Sequence, residues 1–405
     1  MACLGQLPPE LMLRIIQYTD NSSLRSLRTV CRSLSVFATP ELFKTVTLEV
    51  TERSYADLES ILEHPVLRSC VKKLWVDTSG WRPDLLVSEP DHGYGPEMYE
   101  RCIVIDSLPG RFVNIMLRLK EFVNLRHVIL WFQDYSSIDQ EPRFFAEMLR
   151  FLLSSILSLN HLPLGLGFQN LQYVDLSDKD MTMLKQVLGN LTSLRLNVQN
   201  ADFLTGPDFD PEDNRFYALR SQLPSVWLKP ASSTLRHLTL YSSDYIGYSP
   251  WLDPQEVHFP HLESLALGRI GFYCDSQLGW ILSHRSTLRE LYLNDCPIFR
   301  QVTIREDFLA TIETRVTYGK RWHDYFRAFQ EGLPLLQHFM YGVSSGWDDC
   351  SGYSPFENEH TIEIGLYEDS YGTLLSEKWG TEHPDCRDED GRALEALLRK
   401  TGQWK

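Results

Sequence analysis

The chain has 405 residues, is 43% hydrophobic and carries 20 Phe, 18 Tyr and 10 Trp, which is ample core material and excludes a disordered chain. With 54 acidic against 39 basic residues the formal charge is −15, which argues against nucleic acid and anionic membranes as partners. The length fits two or three ordinary domains or one elongated repeat array.

The eight Cys are scattered without a C-x-x-C pair, so reduced thiols in a cytoplasmic or nuclear protein are expected. Met1 to Gln6 has no basic start and no apolar run behind it, so no signal peptide is expected. The most apolar stretch, Met148 to Leu159, is 12 residues long and contains Arg150. A membrane span needs about 20 apolar residues.

Three short helices are expected in residues 1–45. Pro8 and Pro9 suit a first helical turn, and Leu11, Ile15 and Ile16 follow at helical spacing. Asp20, Asn21 and Ser22 break and re-cap the chain, and Leu24, Leu27, Val30, Cys31 and Leu34 give a second face with Arg25, Arg28 and Arg32 interleaved. Pro40 and Glu41 open a third turn carrying Leu42 and Phe43. Three helices this short bury little by themselves, so the segment is either a cap on the downstream core or a docking module with an apolar face left for a partner.

Leu7-Pro8, Glu10-Leu11 and Ile15, followed by Leu24, Leu27 and Val30-Cys31-Arg32, resemble the F-box. Its L-P-x-E-L opening and V-C-R-x-L second helix both stand intact. The resemblance implies a Skp-family adaptor and, through it, a cullin-RING ubiquitin ligase. Leu7, Pro8, Leu11, Ile15, Leu24, Leu27 and Val30 would then lie in the adaptor interface, with Glu10, Cys31 and Arg32 at its edge or orienting the helices. The whole chain resembles the fungal class in which an F-box precedes degenerate leucine-rich repeats.

Residues 46–405 carry a recurring L-x-x-L-x-L hexad. The cleanest copies start at Leu235, Leu262 and Leu288, 27 and 26 residues apart, inside the leucine-rich-repeat period. Looser copies start at Val71, Leu125, Leu171 and Leu191, and a worn one at Leu335. Asn294-Asp295-Cys296 completes one copy as L-x-x-L-x-L-x-x-C, while the others depart there, so an irregular arc is expected. Helical returns are expected over 144–159, 276–284 and 322–329, and a C-terminal helix over 388–401. Loops are expected over 77–96, 200–211 and 346–355. The fold class is thus an α/β repeat: a three-helix F-box, then an irregular leucine-rich-repeat-like solenoid with parallel strands on the concave side and helices and loops outside.

Chemical motifs are weak. Gly342-Val-Ser344-Ser-Gly346 matches a nucleophile elbow, but loop residues follow where a helix is needed. Asp208, Asp210, Glu212 and Asp213 open like a calcium loop but lack its Gly and closing Glu. His383-x-x-Cys386 has metal-ligand spacing with no second pair nearby in sequence, and Gly165-Leu-Gly167 lacks a phosphate-loop Lys. No catalytic residue, cofactor or metal is expected. Residues between the hexad leucines face outward, and Trp75, Trp131, Tyr173, Arg195, His237, Tyr241 and Tyr292 are the expected target-protein contacts. The acidic excess suits a basic target. The expectation is a non-catalytic adaptor that presents a target for ubiquitination, or alternatively a repeat-based interaction module acting outside a ligase.

Overall fold

The computed structural model describes residues 7–78, 109–132, 142–159, 161, 163–171, 173–198, 222–246, 257–305, 313–344, 361–375, 378–381 and 384–404. The chain divides into two compact units, one of residues 1–133 and 143–163, the other of residues 134–142 and 164–405. This division does not coincide with a boundary after residue 45.

In the first unit, helices α1 (Pro9–Gln17), α2 (Asn21–Val30) and α3 (Arg32–Leu42) follow one another closely. Pro9 occupies the first turn of α1, where its missing N–H costs nothing. Asp20 caps α2 by accepting the backbone N–H groups of Ser22 and Ser23, both at 2.9 Å. Cys31 breaks α2 from α3 with an extended backbone. The three helices enclose a small core of Met12, Ile16, Leu24, Leu34 and Ala38, flanked by Leu7, Leu27, Phe37 and Leu42.

Strands β1 (Thr45–Glu49), β2 (Lys73–Asp77) and β3 (His127–Trp131) then pair in parallel, with Thr45 opposite Lys73 and Lys73 opposite His127. Helices α4 (Glu52–Glu63), α5 (Pro65–Cys70) and α6 (Gly110–Leu117) lie along the chain between these strands, and α7 (Pro142–Leu157) follows β3. Arg111 of α6 ties itself to Glu52 and Glu59 of α4. α7 covers the expected helix at 144–159. It buries Phe145, Met148, Leu149, Leu152, Leu153 and Ile156 and exposes Glu147, Arg150 and Ser154, so it is amphipathic rather than apolar all round.

In the second unit, β4 (Gly165–Leu171), β5 (Ser193–Val198), β6 (His237–Ile246), β7 (Ser264–Ile270), β8 (Glu290–Asn294) and β11 (His338–Val343) are parallel neighbours in that order, and β12 (Glu363–Ile364) closes the edge antiparallel. A second sheet holds β9 (Ile298–Arg305), β10 (Glu313–Thr317), β13 (Tyr371–Leu375) and β14 (Lys378–Thr381) in the order β10-β9-β13-β14. Helices α8 (Asp178–Leu188), α9 (Asp275–Ser283), α10 (Trp322–Gly332) and α11 (Arg387–Lys400) complete the unit. Trp322, Tyr325, Phe326 and Phe329 recur at helical spacing on α10 and pack on Phe272, Phe339 and Tyr341.

Hexads at Val71, Leu125, Leu191, Leu235, Leu262, Leu288 and Leu335 run into strands. The copy at Leu171 does not. There the strand ends at Leu171, so Tyr173 lies beyond it rather than on an outward strand position. The glycines of Gly165-Leu-Gly167 sit on the strand β4, so they form no phosphate loop. β1 and the inserted second sheet carry no hexad.

The entries to β2, β3, β5, β6, β7, β8 and β11 are each stitched by one carbonyl that accepts two successive N–H groups. Lys44 takes those of Lys72 and Lys73, and Lys72 those of Arg126 and His127. In the second unit Leu164, Thr192, Arg236, Glu263 and Arg289 do the same for Thr192–Ser193, Arg236–His237, Glu263–Ser264, Arg289–Glu290 and Gln337–His338. The stitch satisfies backbone that the ladder has not yet reached. Cys296 is fully buried with Sγ 3.4 Å from the Leu267 carbonyl.

Candidate docking surface

The helices 9–42 have a finished core and an apolar surface besides. On α1, Met12 and Ile16 point inward, while Leu11 is 48% exposed and Ile15 40%. With Tyr18, also exposed, they recur at i, i+4 and i+7 and make one stripe. Val30 at the end of α2 is 68% exposed, and Val36 of α3 is exposed as well. Pro8, Glu10, Cys31 and Arg32 are exposed, and Leu7 and Leu27 are half-buried against the core. Leu24, expected at the interface, is instead only 2% exposed inside the module's own core. The F-box resemblance implied an interface role for Leu24, and the apolar periodicity of α2 carries no information on which leucine faces a neighbouring helix and which a partner.

Local electrostatics favour an ordered surface. The Ser22 hydroxyl first, then the Ser23 backbone and hydroxyl, hold the Asp20 carboxyl far below the usual carboxylate range. The Cys31 thiol is drawn down by the Ser33 hydroxyl, 3.1 Å away, and by the Leu34 backbone. Residues 7–44 contain five Arg or Lys against three Asp or Glu, a local positive excess in a chain of net charge −15.

The expected target-binding face fares differently. The columns are real: Arg195, Thr239, Ala266, Tyr292 and Met340 stand in register across β5 to β11, and Trp75 is opposite Ile129. Yet Tyr241 is 4% exposed and Tyr292 2%, in a cluster with Ala266, Met340 and Ile362. Ile362 comes from the segment leading into β12, so later chain covers these rings. Tyr241 and Tyr292 are therefore core residues and not contacts for a target. Arg195 and Tyr173 are half-buried, and His237 is exposed. On β2 and β3, Trp75 and Trp131 are half-buried and meet edge to face at 6.5 Å. Strand alternation identified the outward side, but nothing local in sequence reports a distant segment folding over it.

The motif at Gly342 to Gly346 is not a nucleophile elbow. Gly342 has φ 158°, and a Cβ there would sit 1.8 Å from the Glu363 carbonyl, so the glycine allows β12 to approach β11. Ser344 is buried rather than on a surface loop. Its N–H donates to Asn294 Oδ1 at 2.7 Å, and its hydroxyl lies 2.7 Å from that of Thr361. The acidic run at 208–213 and His383 lie outside the described residues. Cys386 stands beside His323 and Asp390, a grouping that spacing along the chain could not reveal. No helix among the described residues is long and apolar enough to cross a membrane.

Comparison with known proteins agrees with the first helices. The F-box-like family matches residues 4–49, so the chain carries an F-box-like domain at its N-terminal end. An α/β region with a mostly parallel sheet follows it. No curated protein matches the chain. Among solved structures it is similar to a sugar phosphate isomerase/epimerase from Parabacteroides distasonis ATCC 8503, at 10% identity, over 78% of this chain and 91% of that chain, with a TM-score of 0.21.

Proposed function

We propose that the chain is a substrate receptor: its F-box-like helices dock a Skp-family adaptor of a cullin-RING ubiquitin ligase, and the remainder holds a target protein for ubiquitination. The observation that carries this reading is the apolar stripe of Leu11, Ile15 and Tyr18, with Val30, left exposed on a module whose own core is already closed. A small helical domain that spends leucine and isoleucine on its surface is built to bury them against a partner. The match to the F-box-like family supports the kind of partner. The local excess of basic residues suits an adaptor with an acidic rim.

The rest of the chain fits a degenerate leucine-rich-repeat array. Parallel strands follow in chain order, and the stitching carbonyls of Leu164 and Thr192, and of Arg236, Glu263 and Arg289, recur at 26 to 28 residues. Arrays of this kind present surfaces rather than active sites. The work of the protein is then proximity, bringing a target near a ubiquitin-charged enzyme inside the cell, without bond-making of its own. With Tyr241 and Tyr292 in the core, the half-buried Trp75–Trp131 pair and Tyr173 are the expected aromatic contacts that stay open to a target, and a basic target suits the chain's net charge of −15.

Affinity purification of the full chain with mass spectrometry tests the reading. A Skp-family adaptor and a cullin should co-purify, and the Leu11→Ala/Ile15→Ala chain should lose both while keeping other captured proteins. Capture of other proteins by the wild-type chain, with no adaptor among them, would make it an interaction module outside a ligase.

A further inference from the structure

The start of α11 meets the start of α10 around one buried carboxylate. Cys386 caps α11 and Asp390 lies one turn on, so the i, i+4 spacing puts both on one face. His323 is the second residue of α10. One ring nitrogen of His323, Cys386 Sγ and one carboxylate oxygen of Asp390 all lie within 4.8 Å of one another. The sulfur is 3.4 Å from Asp390 Oδ2. Two tetrahedral zinc ligands, with sulfur at about 2.3 Å and oxygen at about 2.1 Å from the metal, stand about 3.6 Å apart.

Asp390 is fully buried, and its orientation is fixed by neighbours. The Tyr371 hydroxyl donates to Oδ2 at 2.6 Å, and the His323 backbone N–H donates to Oδ1 at 2.9 Å. His323 Nδ1 lies 2.7 Å from the same Oδ1. Tyr371 in turn accepts the Trp322 N–H at 2.8 Å. These are the outer contacts that hold ligating carboxylates in place in metal sites. A thiol, an imidazole and a carboxylate together form a donor set suited to zinc. Glu389 reaches the solvent side of the group, with Oε2 3.9 Å from His323 Nε2.

We infer that His323, Cys386 and Asp390 bind one zinc-class divalent ion, with Glu389 as fourth ligand, and that the ion staples α10 to α11. Metal binding would replace the Cys386 S–H bond with a sulfur–metal bond and release the thiol proton to solvent. The site is structural and independent of adaptor docking.

Cobalt(II) titration of the full chain tests this. One equivalent should give a thiolate-to-cobalt charge-transfer band in the near ultraviolet with visible tetrahedral bands, and zinc should abolish them. Cys386→Ser keeps a hydroxyl toward Asp390. It should lose the charge-transfer band and weaken zinc at least about tenfold, as should His323→Ala. An unchanged band in Cys386→Ser would assign the metal to other cysteines and overturn the inference, as would no band at one equivalent. In the unmutated chain zinc should shield Cys386 from iodoacetamide, read by peptide mass spectrometry. Full alkylation of Cys386 at saturating zinc would also overturn it.

Discussion

Replacing Leu11 and Ile15 with alanine perturbs the proposed docking face without touching the core beneath it. The two side chains keep 48% and 40% of their surface open to water. Complete burial of a Leu or Ile side chain is worth about 1.5–3 kcal/mol, so covering the part still open is worth about 1 kcal/mol for each. The double variant should therefore lose about 2 kcal/mol of adaptor binding, roughly a thirtyfold rise in Kd. Titration calorimetry against a purified Skp-family adaptor reads this directly. The circular dichroism spectrum and Tm should stay at wild-type values, because Met12 and Ile16 still face inward. A Kd within about twofold of wild type would refute the argument, since truncated side chains at the centre of an interface cost more than that.

Leu24→Ala should behave in the opposite way. It empties part of the small helical core, so stability should fall by about 2–5 kcal/mol, seen as a lower Tm of that module before any effect on an isolated contact. Adaptor association should slow as ionic strength rises, because the module's positive excess steers an acidic partner, and stopped-flow rates that ignore salt would remove that steering. Burial first, and the stacked His258 second, push His284 down to about 4 from an ordinary value of 6.5. Its Nε2 accepts the Phe259 N–H at 3.3 Å, which needs the neutral ring. The unfolded chain takes up this proton near pH 6.5 and the folded chain only near pH 4. Stability is thus intact above pH 6.5 and falls as pH drops toward 4, by up to about 3 kcal/mol. Denaturant melts of wild type and His284→Gln at pH 7 and pH 5 check this, and the variant should show a flatter pH dependence. Trp131→Ala should weaken target capture by about 1–3 kcal/mol with adaptor binding unchanged, read by quantitative pull-down.

What sequence discloses here divides along a physical line. Periodicities are local, so the first N-terminal helix, the helices near 142–157, 275–283, 322–332 and 387–400, and most hexad strands could be read from the spacing of apolar residues. The expected second face instead runs past the break at Cys31, and Pro40, expected to open a third turn, lies inside α3. Coverage is not local. The F-box resemblance implied an interface place for Leu24, but Met12, Ile16 and Leu34 pack around it. Tyr241 and Tyr292 alternate as outward residues should, yet Ile362, far along the chain, packs against them. The hexad at Leu171 failed because Leu166 and Phe168 supply the buried side of the strand one step earlier. The His323, Cys386 and Asp390 group spans two helices separated in sequence by the strands β11 to β14, so no spacing rule could assemble it.

Hydrogen exchange of the full chain, with and without a Skp-family adaptor, is the most direct measurement of the central claim. Docking should slow exchange in peptides spanning residues 9–18 and 28–36, where Leu11, Ile15, Tyr18, Val30 and Val36 are open to water. Peptides from β4 to β8 should exchange at unchanged rates. Absence of protection in the N-terminal helices at saturating adaptor, or protection confined to residues 164–405, would contradict the account.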